Sequence, residues 1–218
     1  MGLGQSIKIK KTGNARIEGG AVSRPSIIAI AGSTGAIQAL QTILTGFPQD
    51  FGVSVFVVIH RRAQDGLLTE IMARKSRLRV VTARHGMPIA LRTIYVAPAD
   101  FHLTVSASHM FLSRGPKVNR HRPAIDPLFE SAAFAFGSRL IGVVLSGYLD
   151  DGTAGLAAVK QFGGTAVVQD PADAIAPSMP KSALAHVAVD HTVPVAEIAP
   201  LLVRLTNGNG TQEISIGR

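Results

Sequence analysis

Cysteine is absent from this chain, which excludes disulfides, thiolate metal sites and a cysteine nucleophile, and leaves serine or threonine for covalent hydroxyl chemistry. Long apolar runs are missing as well. No stretch approaches the roughly 18 residues of a membrane span, and the first twenty residues carry no apolar signal-peptide core. A soluble, cytoplasmic protein with no membrane insertion is therefore expected. Acidic residues are few: 14 Asp and Glu stand against 22 Lys and Arg, giving a net charge of +8 and a pI near 10.4. That balance favours an acidic partner. The basic residues gather in an N-terminal arm (Lys8, Lys10, Lys11, Arg16), at Arg61-Arg62 and in Arg74-Lys75-Ser76-Arg77-Leu78-Arg79. No aromatic-rich strand, zinc-finger spacing or helix-turn-helix pattern accompanies them. They read as solvated surface and a polar tail, and no nucleic-acid partner is expected.

What is present is enough apolar sequence, 46% of 218 residues with a mean hydropathy of +0.28, to bury one substantial core. Residues 1–24 read as a flexible basic arm, 25–207 as a folded domain and 208–218 as a frayed tail. Within the domain, strands at 26–31, 53–59, 140–145, 165–168 and 186–189 alternate with helices. The helices fall at 35–46, 66–76, 126–137, 152–162, after Pro180 and at 194–206, with Asp126 as a cap of the third. This predicts an α/β fold: a doubly wound, mostly parallel sheet covered by helices. The middle, with short runs at 79–82, 93–96, 103–106 and 110–112, predicts a short antiparallel excursion.

Three apolar runs end in residues that bear chemistry: Ser33 in Gly32-Ser33-Thr34-Gly35, His60 after Ile59, and Asp150-Asp151-Gly152 after the run ending at Leu145. Strand ends converge on one crevice in such folds, so a serine, a histidine and an aspartate can form a hydrolytic triad there. The blander readings are a helix-capping serine, a structural histidine and an aspartate that caps the next helix. Neither GxGxxG nor GxxxxGK[ST] is present, which argues against a nucleotide loop. Either Asp150 or Asp151 can serve. The other six histidines (His85, His102, His109, His121, His186 and His191) form no metal pattern and read as structural or exposed.

Together these segments resemble the catalytic domain of the chemotaxis protein-glutamate methylesterases, from about Ile27 to Leu205. The likeness also takes in Ile94-Tyr95-Val96-Ala97-Pro98-Ala99-Asp100-Phe101-His102, the run from Val118 to Phe129 and the run from Ser146 to Gly155. Asn119-Arg120-His121-Arg122-Pro123 is its most distinctive piece, bordering the substrate cleft without an assigned role. The resemblance implies Ser33 as nucleophile, His60 as general base and Asp151 as orienting carboxylate, because Asp150 falls where the family usually has asparagine. It implies oxyanion donors around Thr34, a cleft that includes Tyr148, and no metal or organic cofactor. The implied partners are methylated chemoreceptor cytoplasmic domains, whose glutamate methyl esters are hydrolysed, with receptor glutamine deamidation as a related activity. The family's receiver domain is not matched, which leaves three expectations open: unregulated action, control by a separate regulatory protein as a further partner, or service in a chemosensory system other than flagellar swimming.

Departures from the family pattern fall near the site. Tyr148 stands where a methionine is usual, Leu149 and Ala36 where glycines are, and Arg61 in place of a methionine. Losing a glycine at Leu149 removes easy access to positive φ, so the loop presenting Asp151 is expected to be reshaped. The alternative is a non-catalytic receptor- or regulator-binding signalling protein on the same fold, which Tyr148 and Leu149 favour and the retained Ser33, His60 and Asp151 oppose. A small-molecule esterase using the same triad is a second rival.

Overall fold

The computed structural model describes residues 26–60 and 67–207; the expected arm and tail, and Arg61, lie outside the described residues. In chain order the elements are β1 (Ile27–Gly32), α1 (Ala36–Thr45), β2 (Ser54–Ile59), α2 (Leu68–Ala73), β3 (Arg79–Thr82), β4 (Thr93–Val96), β5 (His102–Val105) and β6 (Met110–Ser113). They continue with α3 (Asp126–Phe136), β7 (Leu140–Val144), α4 (Thr153–Gln161), β8 (Thr165–Gln169), α5 (Ser178–His186), β9 (His191–Val193) and α6 (Val195–Asn207).

β1, β2 and β7 are buried along their whole length, which explains why they read as continuous apolar runs: a parallel strand covered on both faces has no solvent side. The two-residue period still sorts their side chains. Ile28, Ile30, Val55 and Val57 join a core with α1, α2 and α6, while Ala29, Ala31, Phe56 and Val58 join a second core with α3, α4, α5 and the β5–β6 hairpin. Seven strands pair in parallel in the order β3-β4-β2-β1-β7-β8-β9. The doubly wound α/β expectation is thus met. β1 has β2 on one side and β7 on the other, so the strand order switches there and a crevice opens beyond its carboxyl end.

Two local expectations need correction. The antiparallel excursion is confined to β5 and β6, because β3 and β4 join the main sheet in parallel. β4 is buried at all four positions, the environment of an inner parallel strand. The strand expected over 186–189 is not there. α5 runs on to His186, a tight Val189 N–H to Val187 carbonyl contact follows, and the strand forms instead at His191–Val193 against β8. Val187 supplied the apolar signal by entering the core directly.

Candidate active site

Parallel register brings the first two residues together. Gly32 stands opposite Ile59, and the His60 N–H donates to the Gly32 carbonyl at 3.0 Å, so Ser33 and His60 leave neighbouring strand ends side by side. On the other flank the Ser33 N–H donates to the Ser146 carbonyl at 2.9 Å, tying the Ser33 turn to the loop that follows β7. Gly35, at φ 83°, makes the sharp turn into α1. The N–H groups of Thr34 and Gly35 donate to no other described residue, so a helix start with free donors lies beside Ser33.

His60 Nε2 lies 2.6 Å from Asp151 Oδ2, and both side chains are almost wholly excluded from solvent, at 4% and 2% exposure. The other ring nitrogen, Nδ1, is buried without a hydrogen-bond partner. Ser33 Oγ makes no hydrogen bond to a described residue either, so the two halves of the expected pair are adjacent but not engaged. His121 stacks on the His60 ring at 3.7 Å between centroids and 10° between planes. Burial, and then the charge of His60, push the His121 imidazole below its ordinary value, which keeps it neutral near pH 7.

Asp151 is the aspartate the geometry selects, since Asp150 is exposed. Its Oδ2 also accepts the Ile125 N–H at 2.8 Å, and its Oδ1 accepts Asn119 Nδ2 at 2.8 Å and the Asp126 N–H at 3.3 Å. Burial pushes the Asp151 carboxyl up, but the hydrogen bonds from His60, Ile125 and Asn119 outweigh it and hold the group below the usual carboxylate range. Asp126, expected to cap its own helix, does something else. It occupies the first turn of α3, yet its Oδ1 accepts the N–H groups of Gly152 at 3.0 Å and Gly155 at 2.8 Å, the opening turn of α4. Burial raises its pKa.

Asn119, His121 and Asp126 are therefore site residues to which residue-level reading assigned no such role. For Asn119 and His121 the signal was the Asn119-Arg120-His121-Arg122-Pro123 run, which makes a tight turn: Asn119 and Arg120 both have positive φ, and Val118 and His121 exchange backbone hydrogen bonds across them. Ser146, the serine beyond the neighbouring strand end, is enclosed. It is 1% exposed, and its Oγ donates to the Thr34 carbonyl at 2.6 Å while accepting the Ala176 N–H at 2.9 Å. Among the described residues no group of three or more His, Asp or Glu is placed to hold a metal ion, and no helix is long and apolar enough to cross a membrane.

On the loop that presents Asp151, Leu149 takes positive φ (66°) without being glycine. The left-handed region costs a side chain with Cβ about 1–2 kcal/mol, and the exposed Leu149 gains little packing in return. Leu149→Gly is expected to raise stability by up to about 1 kcal/mol, part of the relief being lost to glycine's greater unfolded-state entropy. A higher urea midpoint at unchanged slope would show it; a lower one would mean that the side chain has a stabilising partner.

Gly147 is needed for a different reason. A Cβ placed there would run into Met179 Sδ and come within 2.9 Å of Ser33 Cβ. Gly147→Ala is expected to cost about 1–3 kcal/mol by overpacking and about 10²-fold in kcat by displacing Ser33. Wild-type turnover in that variant would show that the Ser33 turn moves freely. The neighbouring Tyr148 and Leu149 are exposed at 59% and 55%, as is Ile175, at 66%, which lies against Gly35. Thr34 is exposed too. Apolar surface thus rims the crevice.

The family model described as CheB methylesterase matches residues 28–202. A Leptospira interrogans protein with the provisional name protein-glutamate methylesterase/protein-glutamine glutaminase is 39% identical over 184 residues, spanning 84% of this chain and 95% of that protein. An Anaeromyxobacter dehalogenans protein named protein-glutamate methylesterase/protein-glutamine glutaminase 2 is 37% identical over 84% of this chain, which covers 54% of its length. The catalytic domain of Thermotoga maritima CheB methylesterase superposes with a TM-score of 0.80 at 32% identity, covering 84% of this chain and 100% of that domain. Sheet order, strand-end chemistry and the extent of these matches converge, and the chain belongs to the CheB methylesterase family.

Proposed function

We propose that this chain hydrolyses glutamate methyl esters on chemoreceptor cytoplasmic segments, with Ser33 as nucleophile, His60 as general base and Asp151 as the carboxylate that orients the imidazole. The observation that carries this reading is the 2.6 Å bond from His60 Nε2 to Asp151, which leaves the buried Nδ1 unpartnered beside the strand end that bears Ser33. Ser33 Oγ attacks the ester carbonyl and its proton passes to His60 Nδ1. The N–H groups of Thr34 and Gly35 hold the oxyanion. Asp151 stabilises the imidazolium, and the Nδ1 proton then goes to the departing methanol. Water, deprotonated by the same nitrogen, attacks the acyl-enzyme and releases glutamate and the free Ser33 hydroxyl. With a receptor glutamine the same steps release ammonia.

His121 supports this chemistry by covering one face of the base with a neutral ring, so that no second positive charge opposes the imidazolium. Tyr148 lines the substrate cleft on the loop next to Gly147. The excess of basic residues steers a glutamate-rich receptor segment toward the enzyme, an effect that weakens as salt rises. The site of action is the cytoplasm, where receptor signalling segments lie.

The test is release of methanol, and of ammonia, from methylated and glutamine-bearing receptor cytoplasmic fragments by the intact chain at low and moderate salt. Methanol release that slows with salt is expected. Receptor binding without release would favour the non-catalytic signalling reading, and turnover confined to small esters would favour the general esterase.

A further inference from the structure

The oxygens of Asp151 are held from three sides, and one of those sides leads to a second buried carboxylate. Asn119 Nδ2 donates both to Asp151 Oδ1 and to Asp126 Oδ2, each at 2.8 Å. The two aspartates are also cross-linked through the backbone. Asp151 accepts N–H groups from Ile125 and Asp126 at the start of α3, while Asp126 accepts those of Gly152 and Gly155 at the start of α4. Each carboxylate therefore caps the helix that the other one precedes or begins. The helices meet closely enough that a Cβ on Gly152 would fall 2.8 Å from Ile125 Cγ2, and one on Gly155 would fall 2.6 Å from Phe129 Cβ.

Capping alone does not account for this arrangement. An aspartate cap ordinarily serves its own helix, and Asp126 passes over its own to bind the N–H of the residue directly after Asp151. Two carboxyl groups, 8% and 2% exposed, share one amide donor, and the Asp151 charge opposes ionisation of Asp126, so the pairing costs energy that a stabilising device would avoid. What it supplies is direction. With Oδ1 of Asp151 tied to Asn119 and its following residue tied to Asp126, the carboxylate cannot rotate away from His60.

We propose that Asp126 is a positioning residue of the hydrolytic site: acting through Asn119 and the Gly152 backbone, it fixes the Asp151 carboxylate against His60. This inference rests on the reading of Ser33, His60 and Asp151 as the triad. It goes beyond that reading by making the triad's third member one half of a two-aspartate unit, with Asn119 as the bridge.

Two variants separate positioning from support of the fold. Asp126→Asn keeps the volume and one acceptor oxygen but sets an amide against the Asn119 amide. Asn119→Gly deletes the bridge at an exposed residue whose φ of 48° suits glycine, leaving the Asp126 bonds to α4 in place. The first readout needs no substrate: the proton NMR resonance of the short His60 Nε2–H···Asp151 bond in the full-length chain. It is expected far downfield and narrow in the wild type, and shifted upfield or broadened by exchange in both variants. The second readout is turnover of methylated receptor fragments, with kcat expected to fall roughly 10- to 100-fold at little change in KM, the scale of losses caused by small misplacements. An unaltered resonance and unaltered kcat in the folded Asn119→Gly protein would overturn the proposal. Failure of the triad reading has a separate signature, retention of turnover in Ser33→Ala whatever these two variants do.

Discussion

With Ser33 replaced by alanine, methanol release from methylated receptor fragments is expected to fall about 10⁶-fold, the scale of losing a triad nucleophile, while stability stays within about 0.5 kcal/mol of wild type. The two expectations have different origins. Activity disappears because the serine beyond the neighbouring strand end cannot take over: Ser146 is enclosed and its Oγ is committed to Thr34 and Ala176. Stability is kept because what Ser33 contributes to the fold is backbone. Its N–H donates to Ser146 and its carbonyl accepts from Ala36, bonds that alanine reproduces, and Ser33 Oγ makes no hydrogen bond to a described residue. Turnover measured beside a urea titration checks both halves. Retained turnover would remove Ser33 from the mechanism, and a large loss of stability would give its hydroxyl a structural role instead.

The parts of this molecule that could be read from the sequence are those fixed by local pattern. β1, β2 and β7 announced themselves as apolar runs because parallel strands are buried on both faces, and Ser33 and His60 stood out as candidates because each directly follows one, with Asp150 and Asp151 a few residues past the third. Long-range relations were not legible in the same way. Nothing local shows that β3 and β4 join the main sheet, since a four-residue strand looks alike in a hairpin and at the edge of a parallel sheet. The 187–189 segment misled because an apolar valine can enter the core without being in a strand. Asp126 misled for a related reason: an aspartate at a helix start is a good cap, but which helix it caps depends on tertiary approach. His121 was grouped with structural histidines because only the turn at Asn119 and Arg120, two consecutive residues at positive φ, folds its ring onto His60. Leu149 shows the converse. A missing glycine suggests a loop without positive φ, yet Leu149 takes positive φ beside the network around Asp151, against the conformational preference of leucine.

Asp151→Asn is expected to be nearly as severe as loss of the nucleophile, by about 10⁴-fold in kcat, the cost found when a triad aspartate becomes an amide. Both carboxylate oxygens of Asp151 receive donors: His60 Nε2 and the Ile125 N–H at Oδ2, Asn119 Nδ2 and the Asp126 N–H at Oδ1. An amide must turn its NH₂ toward one of these pairs. If it faces His60, Nε2 becomes an acceptor and the ring proton moves to Nδ1, the nitrogen that has to receive the Ser33 proton. If it faces Asn119, two donors are left unpaired at about 1–3 kcal/mol each, and the imidazolium still loses its counter-charge. Stability then acquires a pH signature. The Asp151 carboxyl is held below its ordinary value, so its contribution is present above the unfolded carboxylate pKa of about 4 and is lost as pH falls through the folded value. The Asp126 carboxyl is raised, chiefly by burial and in smaller part by the Asp151 charge, and works in the opposite sense, its charged form costing stability above the folded value; burial acts in both proteins, while the share due to Asp151 is lost in the variant and offsets part of the gap. The urea-midpoint gap between wild type and Asp151→Asn should therefore be wide near pH 7 and narrow toward about pH 3. A gap that stays constant with pH would mean that Asp151 is held by shape alone, and the charge assigned to it in stabilising the imidazolium would have to come from elsewhere.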